Sequence, residues 1–364
     1  MILNIKTLTR IESTIWAVAG TCSLLATFLS FYLIYKHLRN YTCGDLQKYI
    51  IRILIMVPVY AVDSWLSLRF VDLSLYFDLI RDVYEGYVLY CFFCLIVAYV
   101  ERDFDVIELL HTKEPLAHPF PLGYCLPKIR LGRSFLKTCK RFVLQFVFVK
   151  PIIALISIVL QATHNYGEGQ FVPTKGYFWL TIFENISVTL SLYFLVLYYQ
   201  AMREELKPFK PFGKFMCIKA VIFFAFWQGI IISFLTYIDV ITPVGDWTVD
   251  NISSALQDFI TCVEMLIIAV LHHFFFSYKE FRDPNKQPFL YNSQTKTFFN
   301  NPASSIIPVI KNFFTVTSAS DIIEDTKESF ILPLIRSDDD ILHIKEEERV
   351  LLKNEELNSM VLVK

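Results

Sequence analysis

The chain has 364 residues, 54% of them hydrophobic, with 34 Phe and 19 Tyr against only 11 Gly, a composition that points to lipid rather than water as the solvent. A formal net charge of -1, with no basic arm, stacking platform or zinc-knuckle spacing, excludes nucleic acid as a partner. The eight cysteines are scattered, and Cys22, Cys91, Cys94, Cys217 and Cys262 fall inside apolar runs, which excludes a disulfide framework.

Seven apolar runs follow one another at 14–35, 49–68, 78–100, 142–162, 177–199, 217–238 and 253–276. About 20 apolar residues in a helix cross ~30 Å of hydrocarbon, and the unbroken length of these runs favours helices over barrel strands. The expected fold class is therefore all-α, a polytopic membrane protein built as a seven-transmembrane-helix bundle. Ala17-Val18-Ala19 resembles a cleavage site, but its run continues to Tyr35 and is read as an uncleaved first span. The connections 36–52, 101–141 and 200–219 hold seventeen Lys and Arg, whereas 69–77, 163–176 and 239–252 hold only Arg69 and Lys175. That asymmetry predicts the amino terminus outside and the carboxyl tail in the cytoplasm.

Several runs carry ionisable groups, each costing ~2.5–3.5 kcal/mol or more near mid-bilayer unless sheltered. In the second, Pro58 predicts a kink before a polar turn containing Asp63, Ser64 and Trp65, and Asp63 needs a cation such as Arg69 or Arg81. The third opens with Asp78, Arg81, Asp82 and Glu85 at the i, i+3, i+4, i+7 spacing of one helical face, followed by Tyr87. Cys91 and Cys94 spell C-x-x-C but are read as buried small residues. The 101–141 connection is broken by Pro115, Pro119, Pro121 and Pro127 and ends in a basic stretch from Lys128.

The fifth run offers Glu184, Asn185, Ser187, Thr189 and Ser191 for interhelical hydrogen bonds. Lys219, Trp227 and Gln228 mark the sixth, and Asp258 and Glu264 the seventh. His272 and His273 are read as interfacial, since adjacent helical residues diverge by ~100° and no further ligand completes a metal site. No G-x-S-x-G, H-E-x-x-H or Walker A sequence occurs, so an enzyme and a cofactor are not expected.

Composition shifts near residue 283, giving a transmembrane domain over 1–283 and a cytoplasmic tail over 284–364. Within the tail, 305–316 is read as a short interfacial helix and 336–364 as disordered or locally helical. Glu347 with Leu351 and Leu352 spells an acidic dileucine peptide that coat adaptors could grip.

The segments PVYAVDSWLSL from Pro58, YFDLIRDVYEGYVLY from Tyr76, LKTCKRFVLQFVFVKP from Leu136, ENISVTLSLYFLVLYY from Glu184, LKPFKPFGKFMCIKAVIFFAFWQG from Leu206 and LQDFITCVEMLIIAVLHHF from Leu256 run in order along 14–283. Together they resemble the family that joins the transmembrane protein 184 group to the alpha subunit of the organic solute transporter. The chain looks closer to the 184 group, because the 101–141 connection holds only isolated Cys125 and Cys139. The resemblance implies seven helices with the amino terminus outside, and transport of organic solutes. In the alpha-subunit branch these are bile acids and steroid conjugates, moved with a single-span beta subunit.

The expectation is a facilitative or ion-coupled carrier of amphipathic organic solutes, steroid-, bile-acid- or lipid-like. Candidate path residues are Asp63, Trp65, Asp78, Arg81, Asp82, Glu85, Tyr87, Asn185, Lys219, Trp227, Gln228 and Glu264. Asp63, Asp82, Glu85 and Glu264 would set the electrostatics, Tyr87 and Trp227 would supply apolar contact, and Lys219 would attract an anionic headgroup from the inner side. Expected partners are membrane lipids, the solute, a second copy or a single-span subunit, and coat adaptors at the tail; the expected site is the plasma membrane or an endosomal or vacuolar membrane. A trafficking scaffold acting through its tail and a receptor-like seven-helix protein are the alternatives.

Overall fold

The computed structural model describes residues 5–119, 123, 127–167, 172–209, 211–238, 240–243, 248–281, 312–313, 316, 320–327 and 329. Among these the protein is helical, and the sole β feature is an antiparallel bridge between Leu116 and Ile129 that ties off the 117–128 connection. Helices α1 (Ile5–Arg39), α2 (Gly44–Leu54), α3 (Met56–Arg69) and α4 (Ser74–Glu101) come first. The short α5 (Val106–Thr112) is capped by Asp105, whose carboxylate accepts from the Ile107 and Glu108 amides, and it ends before Pro115. Then follow α6 (Arg133–Ala162), α7 (Gly176–Ala201), the single turn α8 (Arg203–Leu206), α9 (Pro211–Tyr237) and α10 (Val249–Phe275). Among the described residues, six helical stretches are long and apolar enough to cross a bilayer: Glu12–Arg39, Gly44–Arg69, Ser74–Glu101, Arg133–Ala162, Gly176–Ala201 and Asn251–Phe281. The apolar run at 217–238 is helical too, inside α9.

The second stretch is interrupted at Ile55, between α2 and α3. Pro58 has no amide to offer the Leu54 carbonyl four residues back, so the ladder breaks where the ring demands it. Helix α4 sits innermost and is buried continuously from Val88 to Ile96. It packs on α2, α3 and α6, while α6 pairs with α7, and α1, α3 and α10 form a second group joined by α9. Large apolar side chains such as Leu24, Phe28 and Phe274 are 68–74% exposed on the outer faces of α1 and α10. Apolar bands of that kind suit acyl chains and would aggregate in water. No disulfide forms among the described residues, and Cys91 and Cys94 are buried. His272 departs from its expected interfacial position: it is fully buried against Phe276, because α10 continues packing through its last turn.

Helices α4 and α6 approach closely at Gly86, where an added Cβ would lie 3.3 Å from both the Phe146 carbonyl oxygen and Lys150 Cγ. Gly86→Leu is expected to push the two helices apart and lower the thermal midpoint in detergent, at the ~1–3 kcal/mol typical of overpacking.

By its contacts the chain divides into two compact units, Met1–Thr317 and Ser318–Lys364. In the first, Asn312 donates to the Leu38 carbonyl (3.3 Å) and Arg52 Nε to the Val316 carbonyl (2.8 Å), with Arg52 and Val316 both buried. A hydrogen bond to a charged group contributes ~1.5–3 kcal/mol, so losing it should free Val316 from this contact about tenfold or more often. We expect water-soluble maleimide to modify Val316→Cys at least that much faster when Arg52→Leu is added. The second unit contributes α11 (Ser320–Thr326), closed by a Thr326 hydroxyl to Ile322 carbonyl bond of 2.6 Å. Glu347, Leu351 and Leu352 lie outside the described residues.

Candidate functional site

The acidic stripe that opens α4 divides between two neighbourhoods. Successive helical residues point ~100° apart, so Arg81 and Asp82 cannot serve the same partners. Arg81 Nη2 meets Asp78 at 2.6 Å on its own helix, and Nη1 lies 3.5 Å from Asp63 on α3 and 3.9 Å from Asp258 on α10. Ser64 Oγ accepts from Nη1 at 3.5 Å, and the guanidinium lies 5.8 Å from the Tyr60 ring. Of the two cations considered for Asp63, Arg81 is therefore the partner; Arg69 stacks on Trp16 instead, 4.3 Å from its ring.

Asp82 and Glu85 turn the other way, to Lys150 in the middle of α6. Its ammonium is 3.5 Å from each carboxylate and forms a closer ion pair with Glu184 on α7. Lys219 on α9 stands behind Glu85 at 4.0 Å. Only 3% of the Lys150 side chain is exposed, so this cation is fully committed. Such networks fix which helices meet, because a lone charge in the same place would carry a desolvation penalty of several kcal/mol.

Between the two networks lies a cavity of about 420 Å³, within the range of small-molecule sites. Asp78, Arg81, Asp82, Glu85, Glu184 and Asp258 supply its charge, Tyr60, Tyr166 and Tyr177 its rings, and Asn185 part of its polar edge. Paired backbone bonds, Gly176 N to Asn165 O (3.0 Å) and Tyr177 N to Tyr166 O (2.9 Å), tie the end of the α6 connection to the start of α7 and set Tyr166 and Tyr177 together in the lining.

The remaining candidates fall elsewhere. Asp63 sits beneath Arg81 rather than on the cavity wall. Trp65 donates to the Trp16 carbonyl (3.3 Å) and packs α3 on α1 beside Gly20. Tyr87 faces Tyr84 and Arg52 on the far side of α4. Gln228 donates to Glu264 between α9 and α10, making a separate polar pair, and Trp227 is 47% exposed on the bundle's surface. Lys150 was missed by sequence reasoning although it carries the second network. A single cation within an apolar run, directly before Pro151, was the available signal.

The family model for the organic solute transporter Ostalpha matches residues 15–281. A transmembrane protein 184 homolog of Dictyostelium discoideum is 38% identical over 254 residues, covering 68% of this chain and 49% of that protein. The chain thus spans about half the length of the curated relative it matches. No solved structure matches it.

Proposed function

Since the chain belongs to the organic solute transporter Ostalpha family, a family of membrane transporters and not of enzymes, we propose that it is a carrier of amphipathic organic solutes, steroid-, bile-acid- or lipid-like. The observation that carries this reading is the charge-lined cavity among helices long enough to span a bilayer. Ionisable groups inside a membrane protein mark solute or ion paths, since a purely structural role is met more cheaply by apolar packing. In this reading α9 is the seventh span, Asp82 and Glu85 shape the path, and transport is facilitative or coupled to an ion. The solute comes from the acyl region or its edge, and the protein works in the plasma membrane or an endosomal or vacuolar membrane, alone, as a second-copy assembly, or with a single-span subunit.

Purified protein in liposomes should move at least one steroid- or lipid-like solute, and Glu85→Gln should slow that flux several-fold. Glu264→Gln, away from the cavity, should leave it nearly unchanged. Absence of flux across a panel of steroid conjugates, bile acids and lipids, with Glu85→Gln also silent, would remove the proposal. The basic connections support an external amino terminus and a cytoplasmic tail. An epitope before Met1 is then expected to be stained on intact cells, and one after Lys364 only after permeabilisation.

A further inference from the structure

We propose that the outer face of α6 is a docking site for a polyanionic membrane lipid of the phosphoinositide class, with its phosphates on a cationic stripe from Arg133 to Arg141 and its chains on the apolar face that continues from it. The inference concerns the lipid around the protein and not the solute, so it stands or falls apart from the carrier reading.

Helix α6 is continuous from Arg133 to Ala162, so its residues can be placed on faces at ~100° per position. Arg133, Lys137, Lys140 and Arg141 fall within an arc of ~100° along its first ~12 Å. Further along, the same sector holds Phe148, Ile152, Leu155 and Val159, which are 40–65% exposed. Leu144, at the edge nearer Lys140, is buried, so the lipid-facing strip runs on the side of Lys137 and Arg141. The opposite side carries Phe135, Cys139, Val143 and Phe146, all buried against the bundle. One outward face is thus cationic at its start and apolar along the rest. A lipid standing beside α6 has the same division, with its headgroup at the basic end and its chains along the apolar strip.

The charge of this surface has one sign. Between residues 115 and 167 there are seven Lys and Arg and no Asp or Glu, and of those seven only Lys150 is buried in the acidic network. Lys128 and Arg130, both exposed, flank Ile129, whose bridge to Leu116 holds the connection just before α6 begins. Lys128, Arg130 and Arg133 form no ion pair among the described residues. The length of the stripe names the headgroup. Arg133 to Arg141 covers ~12 Å at ~1.5 Å per residue. The headgroup layer outside the ~30 Å core is only about 5–8 Å thick on each side. A bare phosphodiester reaches the cations nearest the core, whereas phosphates carried on an inositol ring project to the outer end of the stripe. Lys and Arg at a membrane surface draw anionic headgroups cumulatively, and Arg pairs with phosphate oxygens through two N–H donors. In the topology proposed above, this surface meets the cytoplasmic leaflet.

The test places the full chain in nanodiscs of neutral phosphatidylcholine, with empty nanodiscs as the blank. The titrants are short-chain phosphatidylinositol bisphosphate, short-chain phosphatidylserine and free inositol trisphosphate. The bisphosphate lipid should bind saturably, at least tenfold more tightly than either other probe, and more weakly as salt rises. Lys128→Gln, Arg130→Gln and Arg133→Gln combined should weaken it about tenfold or more with monodisperse yield unchanged, since these cations have no ionic partner to strand. With all native cations in place, the same lipid should slow maleimide labelling of Ser134→Cys, which is exposed beside the stripe, and phosphatidylserine should not. Equal affinity for phosphatidylserine would reduce the stripe to an unselective basic surface, and equal affinity for free inositol trisphosphate would remove the apolar strip from the site. Absence of saturable binding, unchanged affinity in the folded triple variant, or labelling indifferent to the lipid would put the docking site elsewhere. Each of these results overturns the inference. None of the measurements involves a transported solute, so their failure leaves the carrier reading intact, and absence of flux leaves the lipid site intact.

Discussion

Lys150→Met should cost the protein most of its folded yield. The ammonium is buried to 3% and is the counter-charge for Asp82, Glu85 and Glu184, which come from α4 and α7. Methionine fills similar volume, so the loss isolates charge from packing. Deleting one member of a buried ion network typically costs ~3–5 kcal/mol, because the partners left behind remain desolvated without compensation. Against the ~5–15 kcal/mol that separates folded from unfolded domains, that is a large fraction. Monodisperse yield and the thermal midpoint in detergent are the measurements. Adding Glu184→Gln to Lys150→Met should recover part of the loss, since it removes the acid with the closest contact to the missing ammonium. Lys150→Arg should recover charge but not fit, because the lysine stem runs so close to Gly86 that a Cβ added there would lie 3.3 Å from Lys150 Cγ, which leaves little room for a wider head. A Lys150→Met protein as stable as the parent would mean that the α4 acids are solvated and that α6 contributes only apolar contact.

The helical architecture was legible because length and apolarity are written into each run, and so was the α4 stripe, whose spacing is that of a single face. What the spacing does not carry is the rotational setting of each helix against its neighbours. Asp258 and Glu264 are both acids of α10, but six positions turn an α-helix by about 600°, leaving the two ~120° apart. One faces Arg81 and the cavity, and the other pairs with Gln228 on α9. Glu85 and Tyr87 diverge for the same reason, by ~200°, so the ring that looked available for solute contact packs against Tyr84. Glu184 was visible as a polar residue of the fifth run, but its role depends on Lys150, and that residue is inconspicuous in a stretch otherwise read only as an apolar span. Long-range pairing of this sort is a property of the packed bundle, not of any window of sequence.

Arg81→Met should be comparably destructive, and the ranking of rescues tells which of its contacts hold the bundle together. The shortest ion pair, 2.6 Å to Asp78, is local: the two residues lie three apart on α4. Pairs at that spacing stabilise an isolated helix by only ~0.2–0.5 kcal/mol, and they form whether or not the helices are docked. The longer contacts to Asp63 on α3 and Asp258 on α10 require three helices to assemble, and those two carboxylates are 5% and 10% exposed against 30% for Asp78. Asp78→Asn alone is therefore expected to cost under ~1 kcal/mol, while Arg81→Met costs ~3–5 kcal/mol by stranding buried acids. Within the Arg81→Met background, Asp63→Asn should restore the most stability and Asp78→Asn the least, with Asp258→Asn between them. Thermal midpoints of the four proteins, measured in one detergent, settle the order. If Asp78→Asn proved the best rescue, the interhelical contacts of Arg81 would be incidental, and the wall between the cavity and α3 would owe its position to apolar packing alone.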